Sequence, residues 1–258
     1  MAYKEKFSLA VVVIVVGWFV GWGFSHYEVS IPNSFVHEEE VSHTFTSSTV
    51  SFRDVKAVYA TAAVAASTRH FNSLIALADA TEVNAIVVNI KDGDGVYLDE
   101  HMRQVATALH EHGIHPIARV VVFQDSNLAR RRPDLAIKNK DGTLWSSGRG
   151  KYLWVDPASR EVWDYNVDVA RKALDLGFSE VNFDYIRFPS DGDVNAAVFP
   201  VYDGERLANV VMREFYEYLT GEVKKTHPEA ALSIDLFAYS FLRSDGLGVG
   251  QRLADAAE

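Results

Sequence analysis

The chain has 258 residues, no cysteine and a formal net charge of −10 at pH 7. The acidic balance argues against a nucleic-acid partner, because binding to phosphates requires a basic face, and the lack of cysteine excludes disulfides and thiolate zinc sites. Apolar residues make up 48% of the chain, which is enough to bury a sizeable core in one large domain or two small ones.

An apolar run covers residues 7–24, and its length falls within the ~17–25 residues that a membrane-spanning helix needs. Lys4 and Lys6 precede the run, which favours an N-terminus inside the cell and the rest of the chain outside. We therefore predict a signal-anchor segment at residues 1–25, in a single-pass protein of the cell membrane. A cleaved signal peptide and a buried core helix are the alternatives. Residues 26–53, rich in Ser, Thr, His and Glu, are predicted to form a spacer.

Residues 54–258 alternate between apolar strands and helical patterns. Five strands are predicted, starting near Val55, Asn84, His115, Glu180 and Ala231. This alternation indicates parallel strands joined by right-handed crossovers, either in an open doubly wound sheet or in a closed (β/α)8 TIM-type barrel. No Gly-rich phosphate loop follows the first strand, and several strands end in polar residues, which favours the barrel. Because a barrel needs eight units, we expect a partial one, truncated after its fifth βα unit.

The fourth strand carries Asp184 near its end, and Pro189 stops it soon afterwards. A charged group buried without a partner is costly, so an acid at this position needs a reason to be there. Strand alternation places Asp184 on the face that points into the barrel, and it does the same for Asp235 in the fifth strand. Two carboxylates that flank a sugar linkage suit glycoside hydrolysis, with Asp184 as nucleophile or charge stabiliser and Asp235 as proton donor.

Other side chains near the strand ends are predicted to bind or orient the substrate. They are charged residues at the ends of the strands and aromatic residues beside them: Lys91, Asp92, Arg119, Asp125, Trp154, Tyr185 and Arg187. Arg119 is expected to hold Asp184 ionised through its positive charge. Trp154 lies in a long loop after the third strand, where an exposed ring would stack on a sugar.

Structural roles remain open for several of these residues. Asp184 and Arg187 would then form only a buried ion pair, and Asp235 would be a hydrogen-bond centre inside the barrel. Asp92 precedes a glycine and suits a turn, while Trp154 would help to close the barrel rim as a local core. The nine histidines show no metal-ligand spacing, so neither a metal nor another cofactor is predicted.

Four motifs carry a family resemblance: Val120–Asp125 (VVVFQD), Trp154–Pro157 (WVDP), Glu161–Asn166 (EVWDYN) and Phe183–Ser190 (FDYIRFPS). Over about residues 55–258 the chain resembles the "Putative glycosyl hydrolase domain" family, whose barrels are distantly similar to α-amylase-type enzymes. The resemblance implies a TIM-type barrel and a polysaccharide or glycan substrate. It also implies that Asp184 stands where such enzymes keep their nucleophile, and that Asp235 stands on the strand where they often place the acid, although as Glu.

The sequence thus predicts a membrane-anchored glycoside hydrolase-like domain that acts outside the cytoplasm on cell-surface or extracellular polysaccharide, with retention of configuration. A non-catalytic carbohydrate-binding or wall-tethering module is the main alternative. A metal-dependent deacetylase or phosphodiesterase is less favoured, because the chain has no His-rich ligand pattern. The predicted partners are the glycan and the membrane.

Overall fold

A computed structural model of the chain describes residues 10–11, 55–148, 150–242 and 246–256. The predicted signal-anchor (1–25) and spacer (26–53) lie outside these ranges, apart from a two-residue strand, β1 (Ala10–Val11). Within the described ranges, no helix has both the length and the apolar character needed to cross a membrane.

The main sheet is built from parallel strands. Its members in chain order are β1, β2 (Ala57–Ala60), β3 (Ala85–Asp92), β5 (His115–Val121), β8 (Glu180–Asp184) and β9 (Ala231–Ile234). A short strand, β4 (Gly95–Val96), pairs antiparallel with the end of β3. The strands β6 (Ser146–Ser147) and β7 (Tyr152–Leu153) form a separate antiparallel pair in the long loop after β5.

Helices connect the parallel strands. They are α1 (Ala62–Ala66), α2 (Thr68–Ala80), α3 (Glu100–Glu111), α4 (Ser126–Arg131), α5 (Arg160–Asp175), α6 (Ala208–Thr226) and α7 (Leu253–Ala256). Short 3-10 helices lie at Val194–Ala196, Ala238–Phe241 and Gly246–Gly248. The longer helices present one apolar face each to the sheet, which is the pattern of surface helices in an α/β protein.

In the described sheet the parallel strands lie side by side in the order β2, β3, β5, β8 and β9, which is also their order in the chain, so the strand order does not reverse between β2 and β9. A doubly wound sheet reverses its strand order at a switch point, whereas each strand of a (β/α)8 barrel pairs with the next one in the chain. The predicted parallel α/β sheet is confirmed, and its winding is that of a barrel.

The two faces of the sheet differ in chemistry. Outward-facing residues such as Val120, Val181 and Phe183 join the large apolar core that the helices cover. On the opposite face, which we call the inner face, four polar residues lie side by side in register: Asn89, Arg119, Asn182 and Ser233. Period-two alternation therefore sorts the sheet into an apolar side and a polar side, as the sequence predicted.

A C-terminal segment ties the loops after β8 and β9 together. Gln251 is buried; its amide nitrogen donates to the carbonyls of Ile186 (3.2 Å) and Asp235 (3.1 Å), and its amide oxygen accepts from the N–H of Phe237 (3.0 Å). Gly250 precedes it with a φ of +86° and lies against α6. A side chain at this position would meet the Ala208 carbonyl oxygen at 2.7 Å, so only glycine fits.

We expect Gly250→Ala to lower the free energy of unfolding by about 2–4 kcal/mol, because the added methyl collides with α6 and the left-handed backbone is strained. Gly221→Ala is the matched control, since Gly221 lies inside α6 with nothing within 4 Å of an added Cβ. That change should stabilise the protein by about 0.5–1 kcal/mol through helix propensity. Urea unfolding measures both variants, and equal stabilities would contradict the close contact.

Candidate active site

Asp184, the last residue of β8, is held by donors on both carboxylate oxygens. The Arg119 guanidinium, from β5, donates to Oδ2 through Nη2, while its Nη1 donates to Asn89 Oδ1 at 2.8 Å. The N–H of Tyr185 donates to Asp184 Oδ1 at 2.6 Å. Burial alone would lower the pKa of Arg119, but the charge of Asp184 and the hydrogen bond to it keep that pKa above its usual value. The structure therefore places Arg119 where the sequence analysis expected it.

Asp235 follows β9 and lies beside Asp184. Burial, followed by the negative charge of Asp184, raises the pKa of Asp235 to about 6, and a hydrogen bond between the two carboxyl groups adds to this effect. Asn182 Nδ2 donates to Asp235 Oδ1 at 3.1 Å and opposes the shift. Two carboxyl groups close to each other cannot both ionise easily, so Asp235 keeps its proton to a higher pH than an ordinary aspartate does.

Asp92 takes part in a turn and in the inner-face network. Its Oδ1 accepts from the N–H groups of Asp94 (2.9 Å) and Gly95 (3.2 Å), as the turn alternative predicted. Its Oδ2 accepts from Asn89 Nδ2 at 3.1 Å. Because Asn89 also accepts from Arg119, side-chain hydrogen bonds run without a break from Asp92 to Asp184.

Two tyrosines border this network. Tyr185 has a φ of 55°, in the left-handed region, and a non-glycine residue there costs on the order of 1–3 kcal/mol and often marks a functional site. Tyr59, in β2, is half-exposed, and its ring centre lies 5.7 Å from the Arg119 guanidinium carbon. The sequence analysis missed Tyr59, which points to the inner face one residue before the end of β2; strand alternation was the signal that would have found it.

Lys91 and Asp125 are not part of the accessible site, contrary to the prediction that they bind substrate. Both are fully buried and form an ion pair, with Lys91 Nζ 2.9 Å from Asp125 Oδ2. The lysine also donates to the carbonyl of Val122 at 3.3 Å, and burial lowers its pKa against the effect of Asp125. A register shift in β3 between Asn89 and Lys91 is the physical reason, because it brings Lys91 opposite Val120, an outward-facing position.

The prediction that Trp154 is an exposed ring on which a sugar stacks is also wrong. It is fully buried, and its indole N–H donates to Ser147 Oγ at 2.9 Å. The alternative of a local core describes it better. The suggested ion pair between Asp184 and Arg187 is absent among the described residues, since Asp184 pairs with Arg119 instead.

The raised pKa of Asp235 makes stability depend on pH in a defined direction. Between pH ~4, the usual value of an unfolded aspartate, and pH ~6, the folded state holds the proton more strongly. Stability therefore falls as the pH rises through this window, and the loss persists above it. Asp235→Asn removes the titration, so we expect this variant to exceed the wild type by about 1–3 kcal/mol at pH 8 and to match it near pH 4.

Urea unfolding at several pH values checks this expectation. The exposed Asp168 on α5 offers a matched control, and Asp168→Asn should show no such pH-dependent gain. An Asp235→Asn protein that is less stable than the wild type at pH 8 would show that the ionised carboxylate is instead well accommodated.

Among the described residues, no group of three or more His, Asp or Glu side chains is arranged to hold a metal ion.

A hypothetical protein from Ruminiclostridium thermocellum ATCC 27405 has a similar structure: it is 30% identical, with a TM-score of 0.60, and the alignment covers 69% of this chain and 96% of that one. None of the curated proteins matches the chain.

Two α-galactosidases show weaker likeness. The enzyme from Thermus thermophilus is 19% identical, with 63% of this chain and 33% of that chain covered and a TM-score of 0.46. The GH36 enzyme AgaA from Geobacillus stearothermophilus is 14% identical, with 64% and 26% covered and a TM-score of 0.48. This chain thus spans a third or less of either enzyme.

The model of one protein family matches residues 96–258. This range is more than half of the chain, and it contains β5, β8 and β9 with Arg119, Asp184 and Asp235. The chain belongs to the "Putative glycosyl hydrolase domain" family.

Proposed function

We propose that this chain is a glycoside hydrolase domain in which Asp184 is the nucleophile and Asp235 the proton donor. The observation that carries the proposal is the placement of these two carboxyl groups at the ends of adjacent parallel strands, with Asp184 paired to Arg119 and the pKa of Asp235 raised to about 6. A glycosidase needs one ionised and one protonated carboxyl group at a single bond, and different environments provide them.

The reaction we propose has two steps. An Asp184 oxygen attacks the anomeric carbon while the glycosidic C–O bond breaks, and the Asp235 proton passes to the departing oxygen. Asp235, now ionised, then takes a proton from a water molecule that attacks the same carbon and releases Asp184. Carboxyl groups ~5–5.5 Å apart suit this double displacement, whereas inversion needs ~6.5–9.5 Å to admit a water between them. Because the two acids end adjacent strands, whose spacing is about 4.8 Å, the pair favours retention.

The surrounding residues would orient the two acids. Arg119 and the Tyr185 N–H fix the Asp184 carboxylate, yet each oxygen keeps a lone pair for other contacts. Asn182 holds Asp235 from the adjacent strand. Groups fixed in this way need little reorganisation during reaction, which is the main source of catalytic power in preorganised sites.

We also infer that the sheet from β2 to β9 is part of a (β/α)8 barrel. The unreversed strand order supports this, as does the position of both acids at the carboxyl ends of their strands. Active sites of such barrels lie at that end, on the strand tips and the loops that follow.

Asp184→Asn should reduce the release of reducing ends at least ~1,000-fold, because the amide cannot form the covalent intermediate. The assay uses the full-length chain on a panel of bacterial polysaccharides, with the exposed Asp168→Asn as a control that keeps activity. Asp235→Asn should lose activity on ordinary glycans but keep more on aryl glycosides with acidic leaving groups, which need no proton.

A wild-type protein that binds glycan but never releases reducing ends would overturn the hydrolase and favour a carbohydrate-binding module. Equal activity of the wild type and Asp184→Asn would show that Asp184 is not the nucleophile.

We further propose that residues 1–25 anchor the domain on the outer side of the cell membrane, where it meets cell-surface or extracellular glycan; in that state Ala10 and Val11 would leave the pairing with β9 that the structure gives them. The apolar run at 7–24 and the preceding Lys4 and Lys6 support this orientation. In intact cells or spheroplasts, an added protease should digest the domain and a C-terminal tag. Full protection until the membrane is lysed would contradict the orientation.

A further inference from the structure

Arg187 lies three residues beyond Asp184 and is only 9% exposed. Its guanidinium carbon is 5.1 Å from the ring centre of Trp154, 5.0 Å from that of Tyr185 and 4.6 Å from that of Phe237. Cation–π contact with these rings offsets part of the free-energy cost of removing the guanidinium from water. Burial nevertheless lowers the pKa of Arg187, although Tyr185 and Asp184 oppose the shift.

The guanidinium is only partly satisfied by the protein. Nη1 donates to the Phe188 carbonyl at 3.3 Å and to Ser190 Oγ at 3.0 Å. Among the residues that the structure describes, Nε and Nη2 have no acceptor, and no carboxylate forms an ion pair with Arg187. Asp184 and Asp191 lie close enough for their charges to raise the pKa of Arg187, but neither forms an ion pair with it, so the large desolvation penalty is only partly offset.

The unsatisfied N–H groups have a specific geometry. Nε–H and one Nη2–H of a guanidinium lie parallel in one plane, and this fork matches the two oxygens of a carboxylate. We propose that Arg187 is a subsite for the carboxylate of an acidic sugar, so that the substrate is a uronic acid-containing glycan. This inference rests on the proposed function, whose reacting groups adjoin the subsite.

The loops around Arg187 connect it to the reacting acids. Tyr185 donates its N–H to Asp184 while its ring faces Arg187. Gln251 holds the backbone of Ile186 and Phe237 in place on either side. Phe237 itself stays 40% exposed, so one of the three rings around the guanidinium reaches the protein surface.

The net negative charge of the chain does not prevent an acidic substrate from binding at Arg187. Charges on an exposed surface are screened over a Debye length of ~10 Å at 0.1 M salt, whereas a carboxylate at Arg187 would be in direct contact. A bidentate arginine–carboxylate pair is also among the strongest charged hydrogen bonds in proteins.

Titration of the full-length protein with monosaccharides, followed by ligand-observed NMR, tests the subsite. The probes are glucuronate and galacturonate with their neutral counterparts, glucose and galactose. In the wild type, we expect at least one uronate to bind ten-fold or more tightly than its neutral counterpart. Arg187→Gln should abolish this preference, and Arg103→Gln, at an exposed arginine of α3 paired with Glu100, should preserve it.

Arg187→Lys keeps the charge but loses the fork, so its preference should fall several-fold even where the glutamine variant folds poorly. Equal affinity of the wild type for uronates and neutral sugars would overturn the proposal, as would a full preference in both Arg187 variants. A wild type that prefers uronates yet releases no reducing ends refutes the hydrolase alone. Hydrolysis of uronic acid-containing glycans that is unchanged in Arg187→Gln refutes the subsite alone.

Discussion

The structure depends on the ion pair between Arg119 and Asp184 on the inner face of the parallel sheet. Each charge sits on a strand whose opposite side packs into the apolar core, so neither can turn away without a break in the register. Both side chains are partly buried, with 16% and 23% of their surface exposed, so loss of either partner would leave a poorly compensated charge inside the sheet. The position of Asp184, the candidate nucleophile, therefore depends on β5 and β8 staying paired in this register.

Around this pair, the inner face forms a layered polar interior. Arg119 donates to Asn89, and Asn182 donates to both Ser233 (3.2 Å) and Asp235 (3.1 Å). Toward the other end of the strands, Glu180 accepts from Ser233 and contacts His115 at 2.9 Å. Buried polar groups are tolerated when they are hydrogen-bonded, and of this network Asn182 Oδ1 is buried without a partner among the described residues. In the described sheet this network crosses four adjacent strands, so the residues of the site are supported by one another.

Several energetically unfavourable features also lie together at the candidate site. Tyr185 has a strained backbone, Asp235 is partly buried beside a like charge, and Arg187 forms no ion pair with a described carboxylate. By contrast, Lys91, which is still more deeply buried than Arg187, forms an ion pair with Asp125. Sites that serve function commonly retain strain and unbalanced charge that a purely structural region would lose. This contrast distinguishes the structural ion pair of Lys91 and Asp125 from the groups that we propose to bind substrate.

The sequence by itself determined the parallel α/β class, the strand positions and the face on which Asp184 and Asp235 point, because period-two alternation and apolar runs are local properties. The motifs also determined the family. Only the tertiary structure decided which charged residues form ion pairs. A register shift in β3 turns Lys91 toward the core, and Asp184 pairs with Arg119 and not with Arg187. Pairing and burial depend on strand register and loop packing between distant residues, so neither spacing nor residue type could assign Trp154 to the core or leave Arg187 without a carboxylate.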